Sequence, residues 1–292
     1  MKTRDVAELL LLAALWGGSF LFMRIAAPVL GPVWLIECRV LLAGLVLLPL
    51  LARRSLIKEM RQQALPLLVV GCLNSAIPFL LLAFASISLP AGFTSILNAT
   101  APLFGTVIAT VWIKESLSFA RMVGFALGFA GVVVLIGWKS FSADMVFWTA
   151  AIAGLGAALM YAIAAPYIKR TMAGVPSLVV TTGSQLGAAV VILPLMPFTV
   201  PAQNPSAAII FSVVALALFC TSLAYILYFR LIQNIGATRA LTVAYLVPIS
   251  AMLWGRIVLG EAITTSMVLG CGLILLGTAI ANNIFFRVKS KE

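Results

Sequence analysis

Residues 101–131, APLFGTVIATVWIKESLSFARMVGFALGFAG, and residues 247–277, VPISAMLWGRIVLGEAITTSMVLGCGLILLG, carry one pattern twice. Pro102, Glu115, Gly124 and Gly131 recur as Pro248, Glu261, Gly270 and Gly277, each 146 positions on, half of the 292-residue chain. Ala91/Ala237 and Leu127/Leu273 keep the same offset. Glycine, alanine and leucine coincide readily in an apolar chain. Proline and glutamate are rarer here, and both keep the 13-residue gap between them. The chain therefore reads as an internal duplication, with residues 1–140 forming one unit and 141–292 the other.

The meaning of the duplication depends on the number of membrane spans. The chain is 63% hydrophobic and 9% charged, with a mean hydropathy of +1.17, whereas soluble domains carry about 25% charged residues. A helix needs about 20 apolar residues to cross hydrocarbon, and turn and charge punctuation cuts this chain into ten such runs. They lie near 6–27, 32–52, 64–84, 90–113, 119–138, 145–167, 177–197, 206–229, 237–258 and 264–285. The first is long enough to remain as a span rather than serve as a removable signal. The predicted fold class is all-α and polytopic: ten transmembrane helices as two inverted five-helix repeats.

Positive charge orients the bundle. With the N-terminus in the cytoplasm, that side collects Lys2, Arg4, Arg53, Arg54, Lys58, Arg61, Lys114, Arg121, Lys169, Arg170, Arg230, Arg239, Arg287, Lys289 and Lys291. Arg24, Arg39, Lys139 and Arg256 are left for the other side and its helix ends. Fifteen of the 19 basic residues on one side agree with an even number of spans and two cytoplasmic termini. Five spans per unit is odd, so the second unit starts from the opposite face. Inverted repeats place a binding site between the halves near the midplane and permit rocking between two accessible states.

Other functions fare poorly. The net charge of +11 sits in short connectors rather than on one soluble face, so nucleic acid is not an expected partner. Cys38, Cys72, Cys220 and Cys271 lie in apolar runs without metal spacing, and read as small buried hydrophobes. Histidine is absent, which excludes a His-based triad, zinc site or proton relay. No cofactor is expected. A membrane-embedded enzyme would need a carboxylate pair, metal ligands or an activated nucleophile at depth, and a sensor would need an input or output domain. A carrier of small molecules in a lipid bilayer is the reading that remains.

The candidate site is drawn from polar and aromatic residues inside the spans. Trp16, Phe20, Phe79, Tyr161, Tyr225 and Tyr245 supply walls, and Phe79 and Tyr225 share the 146 offset. Asn74 and Asn98 supply polar contacts, since a buried amide must find a partner. Ser75 aligns with Thr221. Pro78, Pro102 and Pro248 interrupt helices and are candidates for kinks or gating; Pro102 and Pro248 predict matching bends, with carbonyls freed at Asn98 and Ala244. Glu37 and Arg39 lie in the outer third of span 2, two positions apart and so on different faces. Arg24, near the outer end of span 1, is the expected ion-pair partner of Glu37. Spans 5 and 10 carry small residues, including Gly124, Gly128, Gly270 and Gly277, and suit close packing inside one protomer or a homodimer contact. Trp112, Trp138 and Trp148 sit at span ends as interfacial anchors.

These residues resemble a known family. Leu15-Trp16-Gly17-Gly18-Ser19-Phe20, the basic residue Arg39, and the doubled Pro–Glu–Gly–Gly pattern are similar to the EamA-type signature of the drug/metabolite transporter superfamily. The resemblance implies ten helices in a bacterial inner membrane and export of metabolites. Within the superfamily the chain looks most like the YddG-type exporters of aromatic and other neutral amino acids. Exporters of lipophilic drugs or cations are the alternative; their small multidrug relatives carry a mid-helix glutamate in the first span, and Glu8 is too shallow for it. Sugar-phosphate carriers would need several central basic residues. The driving ion stays open at this point.

Overall fold

Gly31 folds the first two crossings into a hairpin. The structure, a computed structural model, describes residues 2–112, 119–137, 144–201 and 203–282. Its first element, α1 (Thr3–Arg53), has 51 residues and is interrupted at Gly31, where φ is 72° and ψ is 160°. A straight helix of this length would reach about 75 Å, more than twice the roughly 30 Å of hydrocarbon. Instead the Arg39 guanidinium lies 3.9 Å from the Met23 sulfur, 16 residues back and symmetrically across Gly31. The arms 3–30 and 32–53 therefore run antiparallel. Glycine takes the positive φ without a Cβ penalty, and Pro32 suits the first turn of the returning arm.

The remaining crossings follow in order. After the short connector α2 (Ile57–Gln62), the third crossing is α3 (Ala64–Gly71), a π-helical segment (Cys72–Ala76) and α4 (Ile77–Ser88). The fourth is α5 (Ala91–Asn98) and α6 (Ala101–Trp112), the fifth α7 (Phe119–Ile136), and the sixth α8 (Met145–Thr171). The seventh is α9 (Ser177–Ile192) with a 3₁₀ extension (Leu193–Phe198). The eighth is α10 (Ala207–Ala217), a second π-helical segment (Leu218–Leu223) and α11 (Ala224–Ile235). The ninth is α12 (Ala237–Ala240) with α13 (Val243–Leu259), and the tenth is α14 (Thr265–Ala281). The described residues contain no strand. The predicted ten-helix, all-α membrane fold is the one observed.

The halves meet as inverted copies. Span 1 packs on span 9, where a Cβ on Gly17 would lie 2.6 Å from the Ser250 Cβ; span 6 packs on span 4, where a Cβ on Gly154 would lie 2.8 Å from Leu97. Span 2 packs on span 8, with Ser222 Oγ donating to the Ala43 carbonyl at 3.3 Å. Span 3 packs on span 7, where a Cβ on Gly71 would lie 2.5 Å from the Ser184 carbonyl. Spans 5 and 10 cross antiparallel: a Cβ on Gly124 would come within 2.6 Å of the Gly277 carbonyl, and one on Gly131 within 2.9 Å of the Gly270 carbonyl. Adding 146 to one member and subtracting it from the other turns the first contact into the second. Glycine on both sides lets the two backbones touch. Gly124, Gly131, Gly270 and Gly277 are thus used in packing within one chain. Outward, Phe129, Val133 and Leu269 are exposed, as a lipid-facing surface requires.

Two expectations change at the element scale. Pro102 does not bend a continuous helix: the chain breaks at Ala99–Thr100 and Pro102 is the second residue of α6, where its missing N–H has no partner to lose. Pro248 does lie inside α13, and the matching break falls earlier, at Leu241–Thr242. The two repeats therefore do not bend at equivalent prolines. Each break is instead tied by a threonine, Thr100 Oγ1 donating to the Leu97 carbonyl at 2.6 Å and Thr242 Oγ1 to the Arg239 carbonyl at 2.7 Å. Pro78 sits in the first turn of α4, directly after the first π segment. Glu115, Trp138 and Lys139 lie outside the described residues, as does the side chain of Trp112.

Candidate functional site

The π-helical segments are symmetry mates, Cys72–Ala76 moving onto 218–222 at the 146 offset. A π turn widens the helix and leaves carbonyls without regular partners. In span 8 hydroxyls fill that gap: Thr221 Oγ1 donates to the Leu216 carbonyl at 2.9 Å and Ser222 Oγ to the Ala217 carbonyl at 3.1 Å. In span 3 Pro78, lacking an N–H, cannot close a regular turn onto Asn74.

Each π segment receives one long polar side chain from the opposite half. Arg39 Nε donates to Thr221 Oγ1 at 3.0 Å. Gln185 Nε2 donates to Ser75 Oγ at 3.1 Å. Position 185 is 39 plus 146, and 221 is 75 plus 146, so these bonds are one interaction made twice. The offset visible in the later spans therefore extends into span 2. Gln185 is the residue sequence reasoning missed; this arithmetic, applied to Arg39, was the signal that marked it. Its Oε1 is buried without a hydrogen-bond partner among the described residues.

Arg39 is 5% exposed. Its guanidinium carbon lies 3.7 Å from the centre of the Phe79 ring, a cation–π stack. Thr221 stands at the middle of the 29-residue eighth crossing, so the long side chain carries its charge from the outer third of span 2 to mid-bundle. Tyr161 and Tyr225 lie within electrostatic range of that charge and of one another. Trp16 meets Tyr225 edge-on at 6.3 Å and Tyr228 at 5.2 Å. Phe20 and Phe79 are buried in one apolar cluster, with Tyr161 packed against it. Five predicted wall residues, Trp16, Phe20, Phe79, Tyr161 and Tyr225, thus come together from both halves in contact with one another, with Phe79 stacked on Arg39. Asn74 lies in the first π segment, Asn98 ends α5 with a buried Oδ1 that has no hydrogen-bond partner among the described residues, and Tyr245 lies in α13. No ring contact or hydrogen bond joins those three side chains to the cluster.

The expected Arg24–Glu37 pair is not formed. Arg24 Nε meets Glu261 Oε1 at 3.3 Å, and its guanidinium also donates to the carbonyls of Ser86 and Ile87. Glu261 Oε2 accepts the Ala91 N–H at 3.0 Å, at the start of α5. This network joins spans 1, 3 and 4 to the loop after span 9, at the Gly31 face. The carboxylate that wins Arg24 is the duplicated one at position 261, which a search confined to span interiors passes over. Arg24, Pro28, Ile87, Leu259 and Glu261 line a depression of about 470 Å³. On the opposite face Glu8 pairs with Arg4 at 3.0 Å and with Arg230 of span 8. Glu37 is buried, and its Oε2 has no hydrogen-bond partner among the described residues.

Comparison with known proteins agrees with this architecture. An "Uncharacterized transporter" of Archaeoglobus fulgidus is 23% identical over 93% of this chain and 96% of its own. The "Uncharacterized transporter YvbV" of Bacillus subtilis is 27% identical over 96% of this chain and 92% of its own. A "Probable terminal-alkyne amino-acid exporter" of Streptantibioticus cattleyicolor is 25% identical over 96% and 94%. A solved crystal structure superposes with a TM-score of 0.68 at 22% identity, covering 98% of this chain and 99% of that one, and shares the fold. The pattern of the EamA-like transporter family matches residues 6–137 and again 148–283, once per inverted half. The chain is a multi-pass membrane transporter and belongs to the EamA-like transporter family.

Proposed function

We propose that this protein exports aromatic and other apolar amino acids across a bacterial inner membrane by alternating access, with both termini in the cytoplasm. One observation carries the reading: aromatic rings from both halves gather beside a buried guanidinium at mid-bundle. Mainly apolar walls with a few placed polar groups suit a small ligand with an apolar body. The amino-acid exporter among the relatives supports the class. The alternative cargo, a lipophilic cation, would meet Arg39 in the same place, and like charge in a low dielectric disfavours it. Rocking would exchange the cross-half contacts at the Gly31 face for those at the opposite face.

Counterflow in proteoliposomes of purified protein tests the proposal. Internal L-phenylalanine or L-tryptophan is expected to drive uptake of the labelled amino acid, and tetraphenylphosphonium is not expected to compete. Exchange of the cation alone, or of no amino acid, would overturn the assignment.

A further inference from the structure

We propose that Arg39 is the carboxylate anchor of the transport site, the group that requires the cargo to carry a carboxylate. The inference rests on the amino-acid reading above and names the part of the cargo that is recognised.

The first argument is charge. Arg39 is buried at mid-bundle, and the groups that hold it are neutral: the Thr221 hydroxyl, the Phe79 ring and the Met23 sulfur. No carboxylate forms an ion pair with it among the described residues. Glu37, two positions away, projects from another face of the helix. An ionised group at this depth is costly unless something pairs with it. A guanidinium has five N–H donors in a fixed planar fork. Thr221 takes Nε and Phe79 covers one face of the plane, which fixes the fork while leaving terminal N–H groups uncommitted to any anion. A carboxylate fits such a fork with two parallel bonds.

The second argument comes from the other half of the molecule. Gln185 makes the same cross-half bond to the same position of the matching π segment. A neutral amide is sufficient there. The fold therefore needs a long donor at this position and not a positive charge, and the charge on Arg39 serves something besides packing. Tyr161 and Tyr225 near it, with Trp16 edge-on against Tyr225, would bury the apolar body of the same ligand.

The test uses Arg39→Gln, which copies the residue that the second half already tolerates. Purified parent and variant are compared by counterflow of labelled L-phenylalanine against three unlabelled competitors: L-phenylalanine, phenethylamine, which lacks the carboxylate, and 3-phenylpropionate, which lacks the ammonium. The parent is expected to be inhibited by phenylalanine and phenylpropionate, with phenethylamine weaker by about tenfold or more, the scale of a charge-assisted pair. Arg39→Gln is expected to lose about tenfold or more in apparent affinity for phenylalanine, and with it the preference over phenethylamine. A folded variant with unchanged KM and unchanged discrimination would overturn the anchor, as would a parent inhibited equally by phenethylamine. If Arg39→Gln does not fold, ligand protection of the parent against thermal unfolding decides: stabilisation by phenylalanine and phenylpropionate but not phenethylamine supports the anchor, and equal stabilisation by phenethylamine overturns it. A parent that exchanges no amino acid, yet is stabilised by carboxylates and loses this in Arg39→Gln, sinks the amino-acid reading and keeps the anchor.

Discussion

Trp16 shows how one side chain depends on its neighbours' backbones. It opens the Trp16-Gly17-Gly18 motif, and Gly17 lets the first arm of α1 approach Ser250 and Ala251 of span 9 so closely that any Cβ would clash. The Trp254 indole then donates to the Ala14 carbonyl at 3.0 Å. This contact sets the rotation of the arm, and Trp16 faces Tyr225 and Tyr228 as a result. Edge-on aromatic pairs contribute about 0.5–1.5 kcal/mol beyond their buried area. Trp16→Ala and Tyr225→Ala are therefore expected to raise the KM of phenylalanine counterflow severalfold without abolishing exchange. Trp148→Ala, which removes a ring paired among the described residues with Phe147 alone at the start of α8, should leave the KM at the parent value. The aromatic members of this site were legible because they sit inside spans and two of them share the repeat offset. Arg39 was visible as a charge in the outer third of span 2, but its contact with Thr221 was not, because a sequence does not say how far a long side chain reaches.

At the scale of the element, the departures from regular helix concentrate where the halves meet. Two π segments and two threonine-tied breaks occupy spans 3, 8, 4 and 9, while α7 and α14 run unbroken. Irregular backbone in a membrane persists where protein or water satisfies it. Pro248 is in a helix interior, where a proline costs about 3 kcal/mol; Pro102 is in a first turn. Pro248→Ala is accordingly expected to slow exchange severalfold while raising thermal stability in detergent, and Pro102→Ala to leave both near the parent. Equal effects of the two substitutions would mean that the sequence symmetry, rather than the observed helix ends, governs the motion. Prolines mark where a backbone bond is missing, but whether that spot falls in a first turn or an interior follows from hydrogen bonds several residues away. The π segments had no proline in common, since Ala224 stands where Pro78 does, so pattern alone did not reveal them.

For the whole molecule, the inverted duplication makes two faces that close with different chemistry. Arg24–Glu261 joins the halves at the Gly31 face, and Glu8–Arg230 joins them at the other. Both members of the first pair are partly shielded, with side chains 30% and 15% exposed. A double-mutant cycle of Arg24→Gln and Glu261→Gln, read by thermal unfolding in detergent, is expected to give a coupling on the order of 1 kcal/mol. Additive effects would leave Arg24 to its bonds with the Ser86 and Ile87 carbonyls. The orientation of the bundle in the membrane is a separate expectation. A reporter fused after residue 292 should be active only as a cytoplasmic fusion, and a periplasmic signal would reverse the assignment of the Gly31 face to the outside.

Ten spans, their near ends, the duplication and the inversion were all determined by sequence, because hydrocarbon thickness fixes span length and an odd number of spans per copy forces the copies upside down. The same constraint says nothing about which side chains meet between helices. Glu261 rather than Glu37 receives Arg24, Thr221 receives Arg39, and Gln185 repeats that bond in the other half. Each of those pairings depends on helix rotation and crossing, which are set by glycine contacts such as Gly17 on Ser250 and Gly71 on Ser184. Packing between distant segments is the quantity that tertiary structure supplies, and it alone placed the charge among the rings.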